Sequence, residues 1–159
     1  MEITYTPIGT IHSPFHDLSG MPIQPSSESS APGTVDLLPE YTGGLKDLEG
    51  FSHIILIYHL HHSHLYSLTI TPFLDSKPHG VFATRAPRRP NPIGLSVVRL
   101  LRIENNLLQV DNLDILDGTP LLDIKPYVPA FDSPPDYRLG WLEQVKGKVS
   151  TTRSDKRFG

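Results

Sequence analysis

At 159 residues the chain has the length of one domain, and with 38% hydrophobic and 19% charged residues it can bury a sizeable core. Its 14 Lys and Arg against 17 Asp and Glu give a net charge of −3, so it is no polycation made to coat nucleic acid, and any such contact must come from a local patch. The absence of cysteine removes disulfides, zinc ribbons, iron–sulfur clusters and thiol nucleophiles, while 16 Pro and 12 Gly argue against long helices. No stretch approaches the roughly 20 apolar residues of a membrane span, and residues 1–11 lack the basic and long apolar regions of a secretory signal. A soluble, cytoplasmic protein is expected.

Residues 3–11 carry β-branched and aromatic side chains around Pro7, the pattern of an edge strand. Residues 13–33 are rich in Ser, Pro and Gly without an apolar period, which predicts a long loop. Loops beyond about 12–15 residues in a compact domain are usually binding loops or disordered, which directs attention to residues 20–25. Residues 45–50 can make one helical turn. Ile54, Ile55, Leu56, Ile57 and Tyr58 then form a continuous apolar run, suited to a central strand buried on both faces. Residues 80–84 read as a short strand and residues 93–103 as a longer one. Asn105 and Asn106, both tolerant of left-handed backbone, turn the chain into a strand over 107–115, and a further strand at 121–127 follows Gly118, Thr119 and Pro120. Six or seven short strands with no strand–helix alternation predict a mostly β fold: a single antiparallel β-barrel or coiled-sheet domain with few short helices, not a Rossmann fold. It spans residues 1–145, with a C-terminal tail at 146–159.

Charge is distributed in blocks. Residues 1–45 contain no Lys or Arg, residues 85–102 contain five Arg and no acid, and residues 103–123 contain five acids and no base. Cross-strand neutralisation can account for Arg99 and Arg102, but not easily for Arg85, Arg88 and Arg89. Those three share six residues with Pro87 and Pro90, and Pro92 follows, which makes a stiff loop displaying guanidinium forks suited to carboxylate or phosphate. His53, His59, His61, His62 and His64 fall within twelve residues, yet strand geometry sends His59 and His61 to one face and His62 and His64 to the other. No metal site is expected from them, and His61 can instead line a pocket as neutral imidazole. Asp114 and Asp123 sit among apolar neighbours, where a carboxylate is costly unless something pairs with it. The arginine loop, Lys125 or a cationic ligand could do so. Asp117 reads more simply, as the cap of an Asp-Gly-Thr-Pro turn.

Several strings now bear on one another: Ile8-Gly9-Thr10-Ile11-His12-Ser13-Pro14-Phe15, Pro22-Ile23-Gln24-Pro25, Leu48-Glu49-Gly50-Phe51-Ser52-His53, Phe82-Ala83-Thr84-Arg85 with Arg89-Pro90-Asn91-Pro92-Ile93-Gly94, and Leu113-Asp114 through Asp123-Ile124-Lys125-Pro126-Tyr127. In this order, over residues 5–142, they resemble the TsaA/TrmO family. The resemblance implies an S-adenosyl-L-methionine-dependent tRNA methyltransferase that acts on N6 of the threonylcarbamoyl-modified adenosine beside the anticodon. It also implies a β-barrel working as a homodimer with the cofactor near the subunit interface. Cofactor contacts carry over to Gln24, Pro25, Ser26, Leu60, His61, Arg85, Leu95, Asn112, Leu113, Asp114 and Ile115. Larger relatives are expected to add a C-terminal domain that the tail is too short to replace.

On that resemblance Asp114 is expected to take the N6 proton or to hold the cofactor's amino group, with Arg85 serving the cofactor or the modified base. Arg88, Arg89, Asn91, Lys125 and Tyr127 are expected at the tRNA anticodon loop, whose single-stranded bases can stack on aromatics such as Phe82, Tyr127 or Phe131. A rival of another class is a non-catalytic barrel that binds the cofactor or RNA without transferring a methyl group.

Overall fold

The computed structural model describes residues 1–21 and 31–145. In chain order its strands are β1 (Gly9–His12), β2 (Gly33–Leu37), β3 (His53–His59), β4 (Thr69–Ile70), β5 (His79–Gly80), β6 (Ile93–Glu104), β7 (Leu107–Asp111) and β8 (Thr119–Pro126), followed by the single helical turn α1 (Pro129–Asp132). Six of them close an antiparallel barrel in the order β1-β2-β7-β6-β3-β8, and β8 pairs back onto β1. The expected β-barrel is therefore the fold.

Period-two alternation builds the wall. Ile54, Leu56 and Tyr58 of β3 point inward, as do Ser96, Val98 and Leu100 of β6 and Leu108 and Val110 of β7. With Ile11, Val35, Leu113 and Leu121 they make the core, where truncation of a leucine to alanine costs about 2–5 kcal/mol. β3 is thus buried on one face, not two: Ile55 and Ile57 lie outside. Bulges where β3 meets β8 at Ile57/Tyr58, and where β6 meets β7 at Leu100/Arg102, add the local twist that closure needs.

Four further expectations shift. The edge strand of residues 3–11 shortens to β1, because Pro7 offers no N–H and ladder bonding starts with the Ile8 N–H to the Leu121 carbonyl at 2.8 Å. The strand of residues 80–84 becomes β5 and a 3-10 turn over Val81–Ala83. The helical turn of residues 45–50 becomes two 3-10 turns, Pro39–Leu45 and Leu48–Gly50. β7 stops at Asp111 because Asn112 takes φ 69°, and the Asn105 turn, at φ 55°, joins it to β6 as expected. Within the expected loop of residues 13–33, β2 begins at Gly33, while residues 22–30 and the tail at 146–159 lie outside the described residues.

Beside the barrel, β4 and β5 pair over a small second core of Ile70, Val81 and Ala86. Trp141 docks there, stacking on His79 at 4.5 Å and donating its indole N–H to the Ala83 carbonyl at 2.8 Å. Among the described residues, no helix is long and apolar enough to cross a membrane.

Candidate active site

One end of the barrel opens into a pocket where the end of β3 and the turn after it, the segment after β7 and the start of β8 converge with Leu18 and Met21 of the loop after β1 and Pro87 of the arginine–proline loop. Tyr58, Leu60, His61, Asp114, Ile115 and Thr119 line it. Four of these, Leu60, His61, Asp114 and Ile115, are expected cofactor contacts brought together from two segments distant in sequence, one just after β3 and one between β7 and β8. Leu113 packs behind them in the core, with no exposed surface.

Asp114 is the chemical centre of the pocket. Its Oδ1 accepts the Ser96 hydroxyl at 2.6 Å, and Ser96 Oγ lies 2.9 Å from the Tyr58 hydroxyl. Burial pushes the carboxyl up to about 6 against the opposing pull of the Ser96 bond, its own backbone amide and the Arg85 charge. Burial and then the Asp114 charge raise the Tyr58 phenol above its ordinary range, so it stays protonated. His61 moves the other way. Burial first, and then the neighbouring His62 and His59, lower its pKa, which favours neutral imidazole at the pocket wall. Its Nδ1 is 3.4 Å from the Thr119 hydroxyl, which donates to the Leu116 carbonyl at 2.6 Å.

Ser96 and Tyr58 escaped sequence reasoning. The signal for Ser96 is a hydroxyl on an inward row that otherwise reads Val98 and Leu100. Tyr58 is the last inward residue of β3, and Gly94 stands opposite it in the register. A Cβ at Gly94 would collide with the Tyr58 ring, so only glycine lets that ring lie where it does.

The other expected residues are dispersed. Asn112 follows β7 with left-handed backbone, and its buried Oδ1 has no hydrogen-bond partner among the described residues. Arg85 is exposed near the pocket mouth, within electrostatic reach of Asp114 and Tyr58. Leu95 stands on the outer face of β6, opposite Ile57 and 48% exposed, so it faces away from this pocket. Gln24, Pro25 and Ser26 lie outside the described residues.

Arg89 turns inward on its own loop. Its Nη1 donates to the carbonyls of Val81, Thr84 and Ala86 at 3.2, 2.8 and 3.4 Å, and its guanidinium lies 5.9 Å from the Phe82 ring centroid. Arg88 is half-buried, with the Ser67 N–H on its carbonyl at 3.3 Å, and Asn91 is exposed. Lys125 and Tyr127 sit at the other end of β8, about 20 Å along the strand from Thr119. There Lys125 pairs with Asp123 at 2.7 Å, and Tyr127 meets His53 edge-on at 6.4 Å. The basic and acidic blocks meet as Arg99 opposite Asp111 in the β6–β7 register, while Arg102 pairs with Glu104 along its own strand at 2.9 Å.

Asp117, read from its motif as the cap of its own turn, instead reaches across to the end of β1, where its carboxylate accepts the Ser13 N–H at 3.1 Å and lies 3.2 Å from His12 and 3.4 Å from His16. Burial would raise its pKa, but the Ser13 N–H and the two imidazoles outweigh it and hold the carboxyl below its usual range. Among the described residues, no three His, Asp or Glu side chains are arranged to hold a metal ion.

The chain that builds this barrel and its half-buried carboxylate matches one family over most of its length. The model of the tRNA-methyltransferase O N-terminal domain matches residues 10–133, and the chain belongs to this family. A probable S-adenosyl-L-methionine-binding protein of Pyrococcus abyssi is 55% identical over 99% of this chain and 86% of its own length. The tRNA (adenine(37)-N6)-methyltransferase of Escherichia coli is 37% identical over 87% of this chain, which spans 63% of that protein. The crystal structure of TrmO from Pseudomonas aeruginosa superposes with a TM-score of 0.76 at 44% identity, covering 88% of this chain and 62% of that one.

Proposed function

We propose that this chain transfers a methyl group from S-adenosyl-L-methionine to N6 of threonylcarbamoyladenosine next to the anticodon of tRNA. The observation that carries this reading is Asp114, a carboxylate in an apolar pocket held by the Ser96 hydroxyl at 2.6 Å, in a chain of the tRNA-methyltransferase O family; burial raises its pKa, so it is ready to take a proton. The residues suit a cationic cofactor: Asp114 can face its positive charge, and the unpartnered Asn112 Oδ1 can accept a hydrogen bond from it.

When bound, the cofactor supplies a methyl group on a cationic sulfur that leaves with the C–S electron pair. The N6 lone pair is delocalised into the purine, so N6 becomes acidic only as the N–C bond forms, and its proton passes to Asp114. Neutral His61 adds no like charge beside the sulfonium. Positioning supplies most of the remaining acceleration.

Arg85, exposed at the pocket mouth, serves the modified nucleotide there and meets its phosphate. Arg88 and Asn91 meet the anticodon loop, while Arg89 acts by fixing the loop that carries them. The contact expected at Lys125 and Tyr127 is not part of this reading, because both sit at the far end of β8 and Lys125 pairs with Asp123 there. The reading extends to a cytoplasmic homodimer in which residues 1–145 form the methyltransferase domain. The outer face of β3 and β6 presents Ile55, Ile57, Leu95 and Val97, and a second copy seated there would give Leu95 a route to a cofactor between subunits.

Calorimetric binding of S-adenosyl-L-methionine, followed in the same sample by mass analysis of tRNA nucleosides, tests the reading, and sedimentation reports the dimer. Micromolar binding with a methyl mass gain on threonylcarbamoyladenosine is expected. Binding without that gain points to another acceptor or to a non-catalytic barrel, and no binding removes the proposal.

A further inference from the structure

Two hydroxyls stand where the barrel wall calls for apolar side chains. Ser96 is 1% exposed, with Tyr58 Oη 2.9 Å from its Oγ and Asp114 Oδ1 2.6 Å away on its other side. Packing gives no reason for such a pair, since apolar groups of the same shape can replace two bonded hydroxyls at nearly no cost in stability. The backbone is also adapted to them. Gly94, across the ladder from Tyr58, leaves the space its ring occupies, and the ring's position brings the phenol to Ser96.

The directions of the two bonds follow from the groups themselves. Ionised Asp114 can only accept, so Ser96 donates to it, which leaves Ser96 Oγ to accept the Tyr58 proton. We propose that Tyr58 and Ser96 are positioning residues for the methyl transfer, a fixed two-hydroxyl donor chain that holds Asp114 Oδ1, keeps the carboxylate ionised and leaves Oδ2 for the substrate proton. The inference rests on the reading of Asp114 as proton acceptor given above. Arg85 acts on Asp114 in the same sense from the arginine loop, but less strongly than the Ser96 bond. His61 and His62, from the turn after β3, are the other titratable groups lining the pocket, and burial favours the neutral form of His61.

The test follows the Asp114 carboxyl by carbon-13 NMR titration of the full chain, without cofactor or tRNA, in the parent, Ser96→Ala and Tyr58→Phe. The acid limb of single-turnover methyl transfer is measured on the same three proteins. Loss of the Ser96 bond should raise the Asp114 titration by about one pH unit, and Tyr58→Phe should raise it by a smaller step. The acid limb should move with the carboxyl in both variants. An unmoved titration in Ser96→Ala overturns the chain. So does a rate that falls equally at every pH with the limb in place, the signature of a merely structural pair. Should Ser96→Ala fail to fold, Tyr58→Phe, which removes one oxygen, carries the same test. If the titrations shift but the parent transfers no methyl group to any tRNA, the methyltransferase reading falls and the chain's role in transfer falls with it, while the hydrogen-bond coupling stands.

Discussion

Asp114 weakens the fold that holds it. Its folded-state pKa of about 6 lies above the unfolded value of about 3.9, so between those pH values the folded chain keeps a proton that the unfolded chain has released. Stability therefore falls as pH rises through that window, and the penalty at neutral pH is on the order of 3 kcal/mol. Asp114→Asn removes the charge but keeps an acceptor for Ser96. The variant should lose methyl transfer, yet melt at higher temperature than the parent at pH 7.5, with the difference fading towards pH 4. Scanning calorimetry at the two pH values reads this directly, and a variant that melts lower at pH 7.5 would show that the carboxylate is not penalised. Asp114 was legible in the sequence because a carboxylate among Leu113, Ile115 and Leu116 demands a reason. Ser96 was not, since a serine in a strand is ordinary until the strand's register shows it facing inward. Asn112 was legible only through family resemblance, because its left-handed backbone and orphaned oxygen belong to the folded state.

Among elements, the arginine–proline loop departs furthest from its sequence pattern. Composition displays three guanidinium groups together, but the fold divides them: Arg85 is exposed at the pocket mouth, Arg88 is half-buried, and Arg89 binds carbonyls of its own loop. One long cation ties three carbonyls of the loop together: that of Val81, which the Thr84 N–H and hydroxyl also reach, and those of Thr84 and Ala86, in a stretch where proline supplies no N–H. Arg89→Ala strips three carbonyls of that donor, a local cost of about 1–3 kcal/mol. Amide hydrogen exchange should then quicken over residues 81–92 and leave the barrel strands protected. Uniform exchange across the chain would mean instead that the loop supports the barrel as a whole. Strand existence was readable from β-branched runs and turn residues, whereas strand ends depended on particulars such as Pro7 and the backbone of Asn112. The start of β2 was hidden because five Pro and Gly residues within 20–33 gave that whole stretch the composition of a loop.

For the whole molecule, a net charge of −3 and a tRNA partner are compatible only if the contact is local. On the proposed function that contact falls to Arg85 and Arg88, at the barrel end that holds Asp114, since Lys125 and Tyr127 are about 20 Å away along β8. A contact of two cations on a single-stranded loop releases few counterions. The logarithm of tRNA affinity should therefore fall with the logarithm of salt concentration at a slope of only about −1.4, using roughly −0.7 per neutralised phosphate. Arg85→Gln should flatten that slope by about 0.7 and weaken binding across tRNA species alike, because a phosphate contact carries no sequence information. Lys125→Gln should leave the slope unchanged if the anticodon loop engages only the pocket end. A slope several times steeper in the parent would place many more cations on the RNA than one barrel end holds, and would assign the interface to the opposite face or to two subunits acting together.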